Sequence, residues 1–466
     1  MTHFPKIINF FKGLALIAAF ALPSQAKDHV PATMLGDAVL TESAYDFLET
    51  ISVRFGPRMI GTREHEQTLQ YLEQELETLG LESHRQTFDY PGWVRGKAEI
   101  RMTEPFDRPL RGVALGYVGP WELGSTKLAF VSSGDLDELE ADAVRGRIVL
   151  TPSNVTFLYE DMVRLAEEFG AKGALYTNRV DGGQLLARTA NHDGNATPFP
   201  VFSITMEEGQ WMRQLIERGE QVEVSLSTTS KLETFTGSNL IATIPGESGE
   251  RIIVGGHFDA WDLGQGAIDN GLGVAQLYEV ARLFQAHSPE NRHSIELVWF
   301  DAEEFGLWGS RYYAENVDLS DVRAMINLDM VGVPEGINAM GFDNLVPSLE
   351  AYADSLGSWE MPRGVSNSPW AGSDHLPFIF EGVPAITFYA PIDPAAVRYY
   401  HDLADTIDKV DRKMLAESSA FIALLVYHLA NEPGEKVPHL SPEETADLLR
   451  DAGLEQRLRR INRWPF

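Results

Sequence analysis

"IIVGGHFDAWDLGQGAIDN", residues 252–270, holds an apolar run that stops on a histidine, then a glycine-punctuated loop that stops on Asp269 and Asn270. The run from Arg251 to Gly256 reads as a buried strand, which puts His257 at its carboxyl end. The same plan recurs twice downstream. In "IELVWFDAEEFG", residues 295–306, an apolar run reaches Phe300 and then delivers acids, and in "AMINLDMVG", residues 324–332, it delivers Asp329. Helical segments over 271–286 and 306–316 lie between the runs, so this part of the chain describes a parallel or mixed sheet wrapped by helices. Open α/β sheets gather their sites at the carboxyl ends of strands. Three groups of candidate ligands therefore arrive at one sheet edge.

Further out, "YYHDLADT", residues 399–406, adds His401. His257, Asp269, Glu303, Glu304, Asp329 and His401 are the residue types needed to hold two zinc ions around one water. Zinc takes nitrogen and oxygen ligands in an open shell, and a two-metal site needs a carboxylate short enough to bridge ions roughly 3.5–4 Å apart. Asp269 is the choice for that bridge. Of Glu303 and Glu304, just past a strand end, one is a ligand and the other a base. Asp259, two residues beyond His257, is expected to orient the imidazole through its other ring nitrogen. Singly, each residue has a plain structural reading as a hydrogen-bonded histidine, a solvated acid pair or a helix cap. Jointly they are hard to assign to a core, because unpaired buried charge is costly.

A length of 466 residues exceeds what one core usually supports and implies two units or one domain with an insertion. A hydrophobic share of 44% and nine Trp fit a packed globular protein, and a formal charge of −30 argues against nucleic acid or an anionic membrane as partner. Lys6 and Lys12, the apolar run Gly13 to Leu22, and Pro23 before "SQA" have the layout of a secretory signal peptide over 1–26. Its removal takes away two lysines and no acid, shifting the charge from −30 to −32. No stable membrane insertion is expected after cleavage, and export without any cysteine leaves stability to the core or to bound metal. The apolar positions Leu69, Leu72, Leu76 and Leu79 predict a helix that stops near Gly80. From about Gly112, short β-type runs such as "GRIVLTP" and "PVFSIT" alternate with helical segments, which sets apart an insertion over 109–235. His192 and Asp193, in "TANHDGNATP", read as loop residues. The remaining divisions are a discontinuous catalytic domain over 27–108 and 236–432 and a C-terminal helical tail over 433–466.

"DAWDLGQGAIDNGLG", "AEEFGLWGS", "GSDHLPFIFEGVPAITF" and "HDLADT" occur in the order found in the zinc-dependent exopeptidase family that includes the secreted bacterial aminopeptidases. The chain resembles that family, most closely its carboxypeptidase Q branch. "FGPRMIGT" is similar to its entry motif, and the stretch with "RGRIVL" and "AKGALY" resembles a protease-associated domain; only about the last thirty residues stay outside the likeness. The resemblance implies an α/β fold with a mixed, largely parallel central sheet and an inserted protease-associated-like domain. It also implies two zinc ions per chain, with His257 and Asp329 on one, Glu304 and His401 on the other, and Asp269 between them. Glu303 would be the general base, taking a proton from the attacking water and passing it to the leaving amine. Trp370 stands where relatives often carry Tyr, as an oxyanion donor or a pocket wall; Asp374 and His375 are expected to line the substrate pocket. The implied activity is hydrolysis of short peptides or dipeptides outside the cytoplasm, with a homodimer as the analogous assembly. Competing readings are a glutaminyl cyclase-like acyltransferase with one zinc, and a non-catalytic receptor ectodomain that would be expected to lose ligands or the base.

Overall fold

The computed structural model describes residues 29–357 and 359–466; the expected signal peptide lies outside the described residues. One eight-stranded sheet carries the motifs. Its strands are β1 (Ser83–Val94), β2 (Lys231–Ile244), β3 (Arg251–His257), β4 (Ser294–Phe300), β5 (Val322–Asn327), β6 (Gly336–Asn338), β7 (Gly364–Ser366) and β8 (Ala385–Tyr389). Their order is β1-β2-β4-β3-β5-β8-β6-β7, with the four central strands β4, β3, β5 and β8 parallel. All six residues of β5 and all but the first of β3 are buried, as strands covered on both faces must be. Helices α1 (Gly271–His287) and α3 (Arg412–Asn431) cover one face with the N-terminal helices Val30–Thr41 and Ser43–Glu49. On the other face α2 (Trp308–Asn316) packs Tyr313 against Phe300 and Phe378. By length and composition α3 could cross a membrane, but Leu415, Phe421, Ile422 and Leu425 are fully buried, which makes it a core helix here.

A second eight-stranded sheet has its own core. Four parallel strands, Trp121–Phe130, Ile148–Thr151, Gly173–Thr177 and Val201–Ile204, are extended by antiparallel neighbours on both sides. This unit begins at Ala98 and ends at Thr228, not at the expected 109 and 235. The early strand Ala98–Glu104 pairs with Glu223–Thr228, whereas residues 231–235 belong to β2. Ala98–Glu104 buries only alternate residues, Ile100 and Met102, and a period of two says nothing about which sheet a strand joins. β1 and β2 pair without a break from Ser83 opposite Ala242 to Val94 opposite Lys231, so the chain leaves for the insertion and returns from it at one point.

The C-terminal residues form helices Pro442–Asp451 and Glu455–Arg460 and then reach the junction of the two units. There the Arg463 guanidinium donates to the carbonyls of His192 in the insertion and Gly306 beside β4. Three parts of the chain meet at this arginine.

Close backbone approach explains the glycine before His257. A Cβ at Gly256 would lie 2.2 Å from the Leu328 carbonyl oxygen, where neither backbone can give way easily. Gly256→Ala should therefore destabilise the protein by about 1–3 kcal/mol and displace β3 against the segment holding Asp329. The measurement is thermal unfolding together with zinc content per folded chain, and wild-type values for both would show that the two backbones are free to separate.

Candidate metal centre

The strand plan puts each candidate ligand at the same edge. His257 is the last residue of β3, Glu303 and Glu304 follow β4, and Asp329 follows β5. Asp269 precedes α1, whose cap Asn270 accepts from Gly273 N and donates to the carbonyls of His257 and Leu328. His257 Nε2 lies 3.1 Å from Asp269 Oδ1 and 3.6 Å from Asp329 Oδ1. His401 Nε2 lies 2.8 Å from Asp269 Oδ2 and 2.9 Å from Glu304 Oε1. The two oxygens of Asp269 thus face two different histidines. The ligand atoms fall into two groups of three, His257–Asp269–Asp329 and Asp269–Glu304–His401, each within 4.8 Å.

Charge makes the case for cations. Burial and then the neighbouring carboxylates push Glu303 well above the usual range; burial raises Glu304 to about 7 against the pull of His401. Burial opposes a charged His401, yet Glu304 and Asp269 outweigh it and raise the imidazole to about 10. His257 is likewise driven well above its ordinary value by Glu303, Asp259, Asp269 and Asp329 despite burial. A site that forces protons onto two buried histidines is short of positive charge, and divalent ions supply it while leaving the imidazoles neutral. Asp269 Oδ1, Glu304 Oε1 and His401 Nε2 are buried without a hydrogen bond, so the nitrogen and oxygen donors fit zinc.

Residues 239–426 match the model of peptidase family M28, and residues 122–212 match that of the PA domain. The chain is a metallopeptidase that carries an M28 peptidase domain. It is similar to carboxypeptidase Q from Mus musculus, 27% identical over 413 residues that cover 83% of this chain and 86% of that one. The fold is that of the peptidase M28 precursor from Shewanella amazonensis SB2B, with a TM-score of 0.76 at 24% identity over 89% of this chain and 99% of the other. BSAP, a zinc aminopeptidase from Bacillus subtilis, superposes with a TM-score of 0.67 at 25% identity, covering 86% and 98% of the two chains.

The M28 domain holds its ligands with partners that the sequence reading did not single out. Trp261 Nε1 donates to Glu304 Oε2 at 2.7 Å, leaving Oε1 aimed at His401. The Asp405 carboxylate accepts from Ile268 N and Asp269 N and fixes the bridging loop. Arg58, fully buried, donates to the carbonyls of Phe258, Gln265 and Gly266, which clamps the loop between His257 and Asp269. From the PA unit, the Ala187 carbonyl lies 2.7 Å from His401 Nδ1, and Ala187 N donates to the His401 carbonyl. His401 itself has φ of 57°, and Ala302 and Met330, each next to a candidate ligand, have φ of 58° and 51°. Left-handed non-glycine residues carry strain of order 1–3 kcal/mol each and cluster at functional sites.

Asp259 differs from expectation. The nearer acceptor for His257 Nδ1 is the Asp259 backbone carbonyl at 3.1 Å, with the carboxylate at 3.5 Å. The carboxylate instead receives the amides of Glu303 at 3.1 Å and Glu304 at 3.2 Å, so it shapes the turn that aims both glutamates. A strand-end aspartate reaches across to the next strand's loop more easily than back over its own backbone.

Beside the metal ligands lies a cavity of about 280 Å³ lined by Glu303, Glu304, His401, Tyr400, Ala371, Gly372 and Leu376. Arg188, Thr189 and His192 of the PA unit and Arg457, Ile461 and Arg463 of the tail complete it. Asp374 and His375 do not line it. Both are fully buried, His375 with Nε2 3.0 Å from the Trp370 carbonyl and Asp374 within the field of His257, Asp329 and Asp259. Trp370, 39% exposed, gives its indole N–H to Thr387 Oγ1 at 3.2 Å and leans on His375. That donor is engaged rather than free for an oxyanion. The loop assignment of His192 and Asp193 agrees with the structure, although His192 also faces the cavity.

Because Trp261 makes the hydrogen bond that orients Glu304, Trp261→Phe should weaken zinc binding about 10–100-fold while circular dichroism stays unchanged. Competition against a chromophoric chelator reads this directly. Wild-type affinity in the variant would mean that Glu304 is aimed without the indole.

Proposed function

We propose that this chain is an exported di-zinc exopeptidase that hydrolyses short peptides. The observation that carries the proposal is the Asp269 carboxylate, whose two oxygens each face the Nε2 of a different histidine. In this reading His257 and Asp329 hold one ion, Glu304 and His401 the other, and Asp269 is shared. Bound zinc would supply a Lewis acid for the scissile carbonyl and lower the pKa of the attacking water toward 7.

The rest of the work falls to side chains. Glu303 lines the cavity yet belongs to neither ligand group, which suits it to receive the proton of the attacking water and return it to the departing amine. Its backbone is fixed by Asp259 Oδ1, so the carboxyl turns about its own side-chain bonds while the chain stays still. A cavity of about 280 Å³ lies at the low end for small-molecule pockets and favours short substrates over folded chains. Export is supported by the basic, apolar and small-residue sequence of residues 1–26.

Zinc analysis of the purified protein should give two ions per chain. Glu303→Gln should retain both and lose turnover by about 10²–10⁴-fold; a variant within a few-fold of wild type would remove Glu303 from the role of base. His257→Ala should lose zinc and unfold at lower temperature, since metal binding and folding are linked, and equal zinc content would remove it from the ligands. Products from a panel of dipeptides, tripeptides and N-blocked peptides would separate aminopeptidase, dipeptidase and carboxypeptidase action. A panel left entirely uncut by the zinc-loaded protein would overturn the exopeptidase reading.

A further inference from the structure

The cavity contains a cation that the metal chemistry does not use. Arg188 lines it from the PA unit, and among the described residues its guanidinium has no hydrogen-bond acceptor and no carboxylate within 4 Å. The titratable groups that act on it are Tyr176, Tyr400 and Arg179, none of them an acid. Tyr176 lies behind it, with the ring centroid 5.3 Å from the guanidinium carbon. Several partly buried arginines elsewhere are paired with carboxylates. Arg85 meets Glu66 and Glu73, Arg282 meets Asp37 and Glu279, and Arg323 meets Glu250. Among the described residues Arg147 and Arg311 are also partly buried without a carboxylate within 4 Å, but of the three only Arg188 lines the cavity.

Its position relative to the metal ligands is fixed. Ala187, the residue before it, exchanges two hydrogen bonds with His401, and Leu185 N donates to Asp402 Oδ2. On the far side Gly116 N donates to the Arg188 carbonyl. The Arg188 backbone is therefore held one residue from the contact that orients His401. Arg457, exposed on the tail, adds a second cation at the rim of the same cavity. Arg463 also lines the cavity, and its Nη2 is engaged as a strut by the His192 and Gly306 carbonyls.

We propose that Arg188 is a specificity residue that binds a carboxylate of the substrate while the adjacent peptide bond lies at the metal ligands. This rests on the peptidase reading above and adds a substrate class to it, peptides carrying a carboxylate within a residue or so of the scissile bond. The carboxylate is either the free C-terminus of a very short peptide or an acidic side chain. A guanidinium suits both, because its parallel N–H donors match two carboxylate oxygens. The site is incomplete without the PA unit, which supplies this cation.

The test uses the zinc-loaded full-length protein and matched peptides: a neutral dipeptide as free acid and as C-terminal amide, and an amidated dipeptide with Glu or with Gln. A charge-assisted hydrogen bond corresponds to about 10–100-fold in kcat/KM, so wild type should favour one carboxylate-bearing member by that factor, mostly through KM. Preference for the free acid over the amide identifies the C-terminus as the group read; preference for the amidated Glu over Gln peptide identifies a side chain. Arg188→Met should lose activity on the preferred peptide far more than on its neutral counterpart, collapsing their ratio toward one, and Arg188→Lys should restore part of it. Zinc content and melting temperature of both variants separate recognition from a structural role through Ala187 and His401. Equal kcat/KM for all four peptides in wild type would overturn the proposal while leaving the peptidase reading intact. So would an Arg188→Met variant that loses zinc or slows on every peptide alike. Hydrolysis of none of them would instead sink the peptidase reading.

Discussion

The structure depends on like charges brought together at one buried edge. Asp259, Asp269, Glu303, Glu304 and Asp329 crowd around His257 and His401, and neighbouring carboxylates raise the pKa of Glu303 and Glu304 on top of what burial does. Such a set cannot be ionised together without compensating positive charge, and folding alone supplies the Arg58 guanidinium and protons on the two imidazoles. The fold is built to withstand this repulsion. Asn270 pins α1 to the ends of β3 and β5, Arg58 clamps the loop between, and Gly256 lets β3 approach the Leu328 backbone. Each of these contacts lies within a few residues of a ligand. Metal binding and the stability of this edge are therefore one quantity seen from two sides.

The second theme is that no single unit owns the site. The central sheet places His257, Glu303, Glu304 and Asp329, but His401 sits in a turn whose ring is oriented by the PA unit through Ala187. The tail then fastens the PA unit to the loop after β4 through Arg463. β1 and β2 give the chain one point of departure into the insertion, and these contacts join the two units far from it. The same contacts set the cavity's depth and carry Arg188 to its wall.

How much of this was legible in the sequence follows from the range of each interaction. Strand ends were readable because an apolar run that stops on a polar residue is a local signal, so His257, Glu303, Glu304 and Asp329 could be placed on one edge before any coordinates. The insertion was visible as a change of pattern, but its edges were not, because Ala98–Glu104 has the same alternation as a strand of either sheet. Asp259 was read as a partner of the imidazole it follows; its carboxylate instead holds two amides more than forty residues away. Asp374 and His375 were placed on the pocket surface, whereas the turn at Ser373 buries both and exposes Ala371 and Gly372 to the cavity. Trp261, Asp405, Arg188 and Arg463 act only through tertiary contacts and carried no local signal. Of these, Trp261 lay in the quoted "DAWDLGQGAIDNGLG" and Asp405 in "HDLADT", and their value became apparent only as the donor to Glu304 and the acceptor of the Asp269 amide.

Placement of the cations within so acidic a chain has a physical consequence. With a net charge of −30, the long-range field repels anionic substrates, so a carboxylate gains nothing from distant steering and must be captured locally. Beyond a Debye length of about 8–10 Å that field is screened at ordinary salt, whereas inside a cavity of about 280 Å³ the charges act at close range and low dielectric. There the balance depends on a few groups that line it, among them Glu303, Glu304, His401 and Arg188. An unpaired arginine on the cavity wall costs desolvation in the free protein, which limits its net contribution until a carboxylate arrives. If the proposed ions offset the cavity's own acids, capture of a carboxylate by Arg188 would be tied to metal occupancy by charge alone.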